Sequence, residues 1–400
     1  MEGKLKISMI LFCIIALVLS CQNSQSSETK PQKVYRIVYE QQSNDWYKNQ
    51  AELWKNEIDK NPQNAKAWHN YYNAVRYAHF EDIDSNQKKK KLAGIIEDMG
   101  KAIPGTYEYY LLNYWTTHDL EDLTLIKKAH ELKPDEPEPY YPFIDHNEVR
   151  GDKTETVKWL TKLYLSQDIS PSLLNYNYNV LMSVLPNALL FTNGDNDTYP
   201  AWMLQQVQNV RPDVLVLNVS MSTIDDYLAM KLKDHGIDLD VSDLKKKSIV
   251  NGQFSKKSFI DHFRNRLLEK YPEIPVYYAL TVYNPLIEDI KEELFVVGLA
   301  QRYSKKRIDN SAVVKKNMEN HLRLDNLKYD WYREKIQGHK MMDRLNMNYV
   351  VPMIMLAEHY TSSGEKARAK EWLEFALSLA KKAENSNAIE EIQLKMADIQ

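Results

Sequence analysis

Apolar positions along this chain recur in two rhythms. Over residues 33–180 and 308–400 they fall three and four apart, with few glycines, the signature of amphipathic helices. Between these flanks they gather into short runs rich in Val, Leu, Phe and Tyr: Ala188–Phe191, Asp213–Val219, Pro275–Thr281 and Leu294–Leu299. Pro186, Pro212 and Pro275 stand just before or at the start of three of them. Helical stretches intervene at Pro200–Val210, Ile224–His235 and Ser255–Glu269. Strand, helix, strand over about thirty residues is a βαβ unit. The pattern therefore predicts a small parallel sheet with helices on its faces and a right-handed crossover.

The flanks carry a repeat. With Val350 as its first position, Met353, Leu356, Ala357, Tyr360, Gly364, Ala369, Leu373 and Ala376 occupy the packing positions of a 34-residue tetratricopeptide-like repeat. Two looser copies are marked by Pro62 six residues before Trp68 and by Pro134 six before Tyr140, with Gly151-Asp152 taking the second turn. The expected fold class is thus α/β plus all-α, with tetratricopeptide-like hairpins flanking a small, parallel, Rossmann-like sheet. The expected divisions are 1–20, 21–34 (tether), 35–180 (helical), 181–307 (α/β) and 308–400 (helical). Stacked hairpins leave a concave surface suited to protein partners. Trp46, Trp54, Trp68, Tyr71, Tyr72, Tyr109, Tyr110, Tyr114 and Trp115 read mostly as packing between helices; an aromatic groove for glycan or peptide is the alternative.

In such sheets ligands meet the carboxyl ends of the strands. The first strand end supplies Asn193, Gly194, Asp195, Asn196, Asp197 and Thr198; the second supplies Ser220 and Asp225; the third supplies Thr281. Gly194 suits a tight turn, Asp and Thr cap helices, and Pro200 suits a first helical turn. Two acids this close exceed the needs of one cap and repel unless donors or a cation offset them. Three roles stay open: an internal hydrogen-bond network, hydrogen bonding to sugar hydroxyls, and a divalent cation on Asp195 and Asp197, with Asp225 as a third ligand. Asp195-Asn196-Asp197 also has the acid-any-acid form of many sugar-nucleotide transferases.

The N-terminus changes the picture. Lys4 and Lys6 precede the apolar run Ile7–Leu19, which is too short to span a bilayer stably, and Val18-Leu19-Ser20-Cys21 follows. This resembles the lipobox of bacterial lipoproteins. The resemblance implies a signal peptide over 1–20, acylation of Cys21 and, with Gln22 rather than Asp next, an outer-membrane address. The only other cysteine is Cys13, inside the signal, so no disulfide or thiolate chemistry is expected in the body. A net charge of −3 argues against nucleic acid as a partner, and Lys88–Lys91 reads as a solvated helix start.

The stretch FTNGDNDTYPAWMLQQVQNVRPDVLVLNVSMSTIDDY, with IPVYYALTV and ELFVVGLAQRYSK further on, resembles the soluble C-terminal part of a family of multi-pass bacterial membrane proteins. That family, abundant in Bacteroidota, is itself similar to protein O-mannosyltransferases. The matching features are Gly194–Thr198 with Pro200, Arg211–Val214, Pro275–Tyr278 and Gly298–Arg302. The resemblance implies an extracytoplasmic α/β-plus-repeat module. It does not bring the transferase chemistry, which that family assigns to membrane helices for which a lipid anchor and helical hairpins stand here. No G-x-S-x-G, H-E-x-x-H or phosphate-binding glycine loop is present. The expectation is a non-enzymatic scaffold or accessory subunit for envelope proteins, membrane-attached through its N-terminal lipid and without a cofactor. The alternatives are a glycan-, peptide- or metal-binding module using the GDNDT loop, and an enzyme related to glycosyl transfer.

Overall fold

The computed structural model describes residues 30–79, 84–117, 119–332 and 338–399. Cys21, the signal segment and the tether as far as residue 29 lie outside them. The protein is mostly helical and forms two units. One takes the described residues up to Glu148 together with Asp152–Asp168; the other takes Val149–Gly151 and everything from Ile169 onward.

The first unit is built from helical hairpins whose ends are set locally. Asn44–Lys60 begins where the Ser43 side chain accepts the Trp46 amide, and Ala65–Tyr77 begins where Asn64 accepts the Ala67 amide. The proline between them does more than interrupt. Trp68 Nε1 donates to the Pro62 carbonyl at 2.9 Å, and the second copy repeats the device, with Tyr140 OH donating to the Pro134 carbonyl at 2.7 Å. In both, an aromatic six residues on satisfies the carbonyl left free at the turn. Trp46, Trp54, Trp68, Tyr72 and Tyr114 are buried, so these rings are core, each worth on the order of 3–5 kcal/mol on truncation to alanine; Tyr71, Tyr109, Tyr110 and Trp115 are only partly buried.

The second unit holds the sheet. Its strands are β1 (Leu189–Thr192), β2 (Leu215–Asn218), β5 (Val276–Ala279), β6 (Leu294–Val296) and β7 (Ala300–Tyr303), in the order β2-β1-β5-β7-β6. Between them in sequence, β3 (Ile249–Val250) and β4 (Gln253–Phe254) form a separate antiparallel ladder. β2, β1 and β5 are parallel, as expected, but β7 runs antiparallel to both β5 and β6. The sheet is mixed, which corrects the all-parallel expectation. The cause is Gly298. What reads as one apolar run, Leu294–Leu299, breaks there at φ +142° and turns back as a hairpin. A side chain at Gly298 would come within 2.6 Å of Ser183 Oγ, so the position requires glycine twice over.

Beyond the sheet, Val350–Ser362 and Lys366–Lys382 form a hairpin turned at Gly364, whose φ is +80°. Ala357 and Ala369 are buried in it, as are Met353, Leu356, Tyr360, Leu373 and Ala376. Ser386–Ile399 packs on as a further helix. Among the described residues no helix is long and apolar enough to cross a membrane.

Candidate functional site

β1 delivers the chain to the polar loop. Helix Asp195–Gln206 starts directly after Gly194, five residues earlier than the sequence predicts, so Pro200 lies inside the helix and not in its first turn. An interior proline has no N–H for the carbonyl four residues back. That carbonyl belongs to Asn196, and the buried Asn177 supplies the missing donor from its side-chain amide at 2.8 Å. The helix tolerates its proline because a neighbouring helix completes it.

Asp197 is the third residue of this helix and only 2 % exposed. Its carboxylate accepts the amides of Asn193 (2.7 Å) and Gly194 (2.8 Å) and the hydroxyl of Thr281, which closes β5 onto the loop. Burial pushes the Asp197 carboxyl above the ordinary carboxylate range, and the Thr281 hydroxyl and the two amides offset part of that rise. Next to it, Thr198 Oγ1 pairs with Thr192 Oγ1 at 2.8 Å and accepts from Asn218 Nδ2 at 3.0 Å. Asn218 Oδ1 in turn accepts the amides of Ser220 and Met221. Asn193 Oδ1 accepts the Tyr283 amide at 3.3 Å. The network thus runs across the carboxyl ends of β2, β1 and β5, and its bonds join the protein to itself.

The other candidates lie apart. Asp195 is exposed, and two residues along a helix rotate a side chain by about 200°, so Asp195 and Asp197 do not converge on one point. Asp225 lies 3.5 Å from Lys245, and the exposed Ser220 accepts from Lys256 at 2.7 Å. The Asn196 amide reaches Met341 Sδ at 3.6 Å. Among the described residues no group of three or more His, Cys, Asp and Glu side chains is arranged to hold a metal ion.

Two further features complete the region. Arg211, at φ +50°, spends all its donors. It forks onto Asp213 (both bonds 2.9 Å) and caps the carbonyls of Leu181, Val184 and Leu185. The guanidinium in turn holds the Asp213 carboxyl below its ordinary range. The second feature escaped the sequence reading. Helix Pro171–Met182 carries Asn175, Asn177 and Asn179, and Asn179 pairs with both backbone groups of Arg323 (2.7 and 2.8 Å) while donating to Tyr349 OH at 2.7 Å. The available signal was the alternation Asn-Tyr-Asn-Tyr-Asn inside a helical pattern, costly there unless each amide is satisfied.

Fold and site together define a mixed α/β sheet whose strand-end edge is tied shut and which continues into helices. The family model described as TMEM260-associated domain 2 matches residues 173–395, more than half of the chain, and the chain belongs to that family. The match begins close to where the second unit begins and includes the residues that carry the resemblance described above. No curated protein matches the chain.

Proposed function

We propose that this protein is a lipid-anchored scaffold or accessory subunit of an envelope complex, attached through Cys21 at the outer membrane. In this reading the helical hairpins are tetratricopeptide-like and offer the partner surfaces. The Rossmann-like portion is a rigid joint that takes no cofactor. The observation that carries the reading is the closure of the strand-end edge: Asp197, the best-placed acid of the GDNDT loop, has both oxygens engaged by the loop amides and by Thr281. A carboxylate so occupied positions backbone; it has no oxygen turned to a substrate. Asp195 is exposed and, two residues earlier along the helix, does not share a side with Asp197.

Cross-linking in intact envelopes, followed by identification of the joined chains, tests this. The expected result is recurrent linkage of lysines on the helical hairpins to the same envelope proteins. Recovery of the chain only as an unlinked monomer, in envelopes and after every mild solubilisation, would overturn it.

A further inference from the structure

The molecule presents one surface whose chemistry runs opposite to that of the strand-end loop. β3 and β4 are joined by Asn251-Gly252, both at positive φ (+51° and +77°), as a tight type I′ turn requires. The ladder pairs Ile249 with Phe254 and Val250 with Gln253. Paired residues share a face and successive residues alternate, so Ile249 and Phe254 lie on one face and Val250 on the other. All three are exposed, at 49 %, 44 % and 48 %. The base of the hairpin is firmly rooted: Leu244, Ser248 and Phe259 are fully buried, Ser248 Oγ bonds to the Leu244 carbonyl at 2.6 Å, and the Ser255 amide bonds to the Ser248 carbonyl at 2.8 Å. An apolar tip thus stands out on a fixed stem.

Around the stem lies positive charge. Between residues 243 and 258 there are five lysines, Lys245, Lys246, Lys247, Lys256 and Lys257, and a single acid, Asp243, in a chain whose net charge is −3. Three of the lysines face carboxylates: Lys247 pairs with Asp243 at 2.7 Å, Lys245 with Asp225 at 3.5 Å, and Lys257 with Asp289. The Lys245 and Lys247 pairs are exposed, hence weak and solvent-screened, and Lys257 is half-buried beside an exposed Asp289, so the lysines remain available to a stronger field. Lys256 donates to the Ser220 hydroxyl.

We infer that the Ile249–Phe254 hairpin is a docking element for an anionic lipid surface, inserting Ile249, Val250 and Phe254 among the acyl chains while the lysine collar meets the headgroup phosphates. Two observations select a bilayer over a protein face. The apolar residues lie on both faces of the ladder, which suits insertion of a tip into a fluid medium and not packing of one face against a flat partner. The collar supplies the charge complementarity that peripheral attachment needs, since apolar burial and attraction to anionic headgroups add. The inference is independent of acylation at Cys21 and of the scaffold reading.

The test uses the full chain. Because the Ile7–Leu19 run can bring the chain to vesicles of any composition, the readout is local: hydroxyl-radical labelling of Phe254 and amide exchange across residues 249–254. Wild-type protein is compared on phosphatidylglycerol/phosphatidylcholine vesicles, on phosphatidylcholine alone, and with soluble polyglutamate. The expected result is roughly tenfold slower labelling on the anionic vesicles only. That protection should be lost in Ile249→Asp/Val250→Asp, which keeps the labelled Phe254, and in Lys245→Glu/Lys246→Glu, each with an unchanged melting transition. Equal labelling with and without anionic vesicles, equal protection on neutral vesicles, or full protection by polyglutamate would each overturn the proposal. If one double variant fails to fold, the other variant and the three wild-type arms still decide.

Discussion

Two loops of the same unit sort their residues in opposite ways. The loop after β1 is rich in Asn, Asp and Thr, yet turns Thr192, Asp197 and Thr198 inward until they are almost inaccessible. The β3–β4 hairpin carries Ile, Val and Phe and holds them out in solvent. Polar residues usually face water and apolar ones avoid it, so each loop departs from the rule and each departure has a use. The first is tolerated because every buried group finds a partner, and its result is rigidity at the junction of three strands. The second is tolerated because its stem is fixed by Leu244 and Phe259, and its result is an apolar surface available to something outside the chain. Composition alone would have assigned the ligand site to the first loop and a buried position to the second.

The contrast can be broken most directly at Asp197. Replacement by alanine leaves the Asn193 and Gly194 amides and the Thr281 hydroxyl without their acceptor in a buried site. We expect a loss of about 3 kcal/mol in chemical denaturation followed on the second unit. A cost below about 0.5 kcal/mol, the ordinary range for a surface change, would show that the loop is not a structural joint.

A smaller effect sharpens the same point through pH. Burial raises the folded-state pKa of Asp197 above its unfolded value, so folding favours the protonated form. The stability tied to that shift is fully present below the unfolded-state pKa and is lost as the pH rises through the folded value. Asp197→Asn removes this dependence. The stability gap between wild type and Asp197→Asn is therefore expected to be wider at acid than at neutral pH; a gap that widens toward neutral pH would contradict the assignment. The smallest effect belongs to the other loop. Ile249→Asp should change stability by no more than about 0.5 kcal/mol, because the side chain leaves water neither before nor after the change.

Much of this architecture was legible beforehand. β1, β2 and β5 lie within one or two residues of the apolar runs that predicted them, since buried parallel strands read as continuous hydrophobic stretches. Gly364 marks its turn because only a residue without Cβ takes φ +80° cheaply. The misreadings have physical causes. Pro200 was assigned to a first helical turn because nothing local reveals that Asn177, more than twenty residues earlier, will satisfy the Asn196 carbonyl. The β6–β7 hairpin was hidden because Val297 and Leu299 continue the apolar run through the bend at Gly298. The division of the candidate loop into an inward Asp197 and an outward Asp195 depends on where the helix begins, which is five residues earlier than the sequence pattern predicts. Asn175, Asn177 and Asn179 were overlooked because their partners, Arg323, Asn196 and Tyr349, are distant in sequence.

The central claim is that the GDNDT loop is a closed joint. Residue-resolved amide exchange at Asn193 and Gly194 tests it most directly, with and without divalent cations and envelope sugars. The account predicts that both amides exchange slowly, at rates set by opening of the whole unit, and that no addition alters them. Rapid exchange at either position, or protection that changes when a cation or sugar is added, would mean that the Asp197 carboxylate is free to leave its partners and serve a ligand.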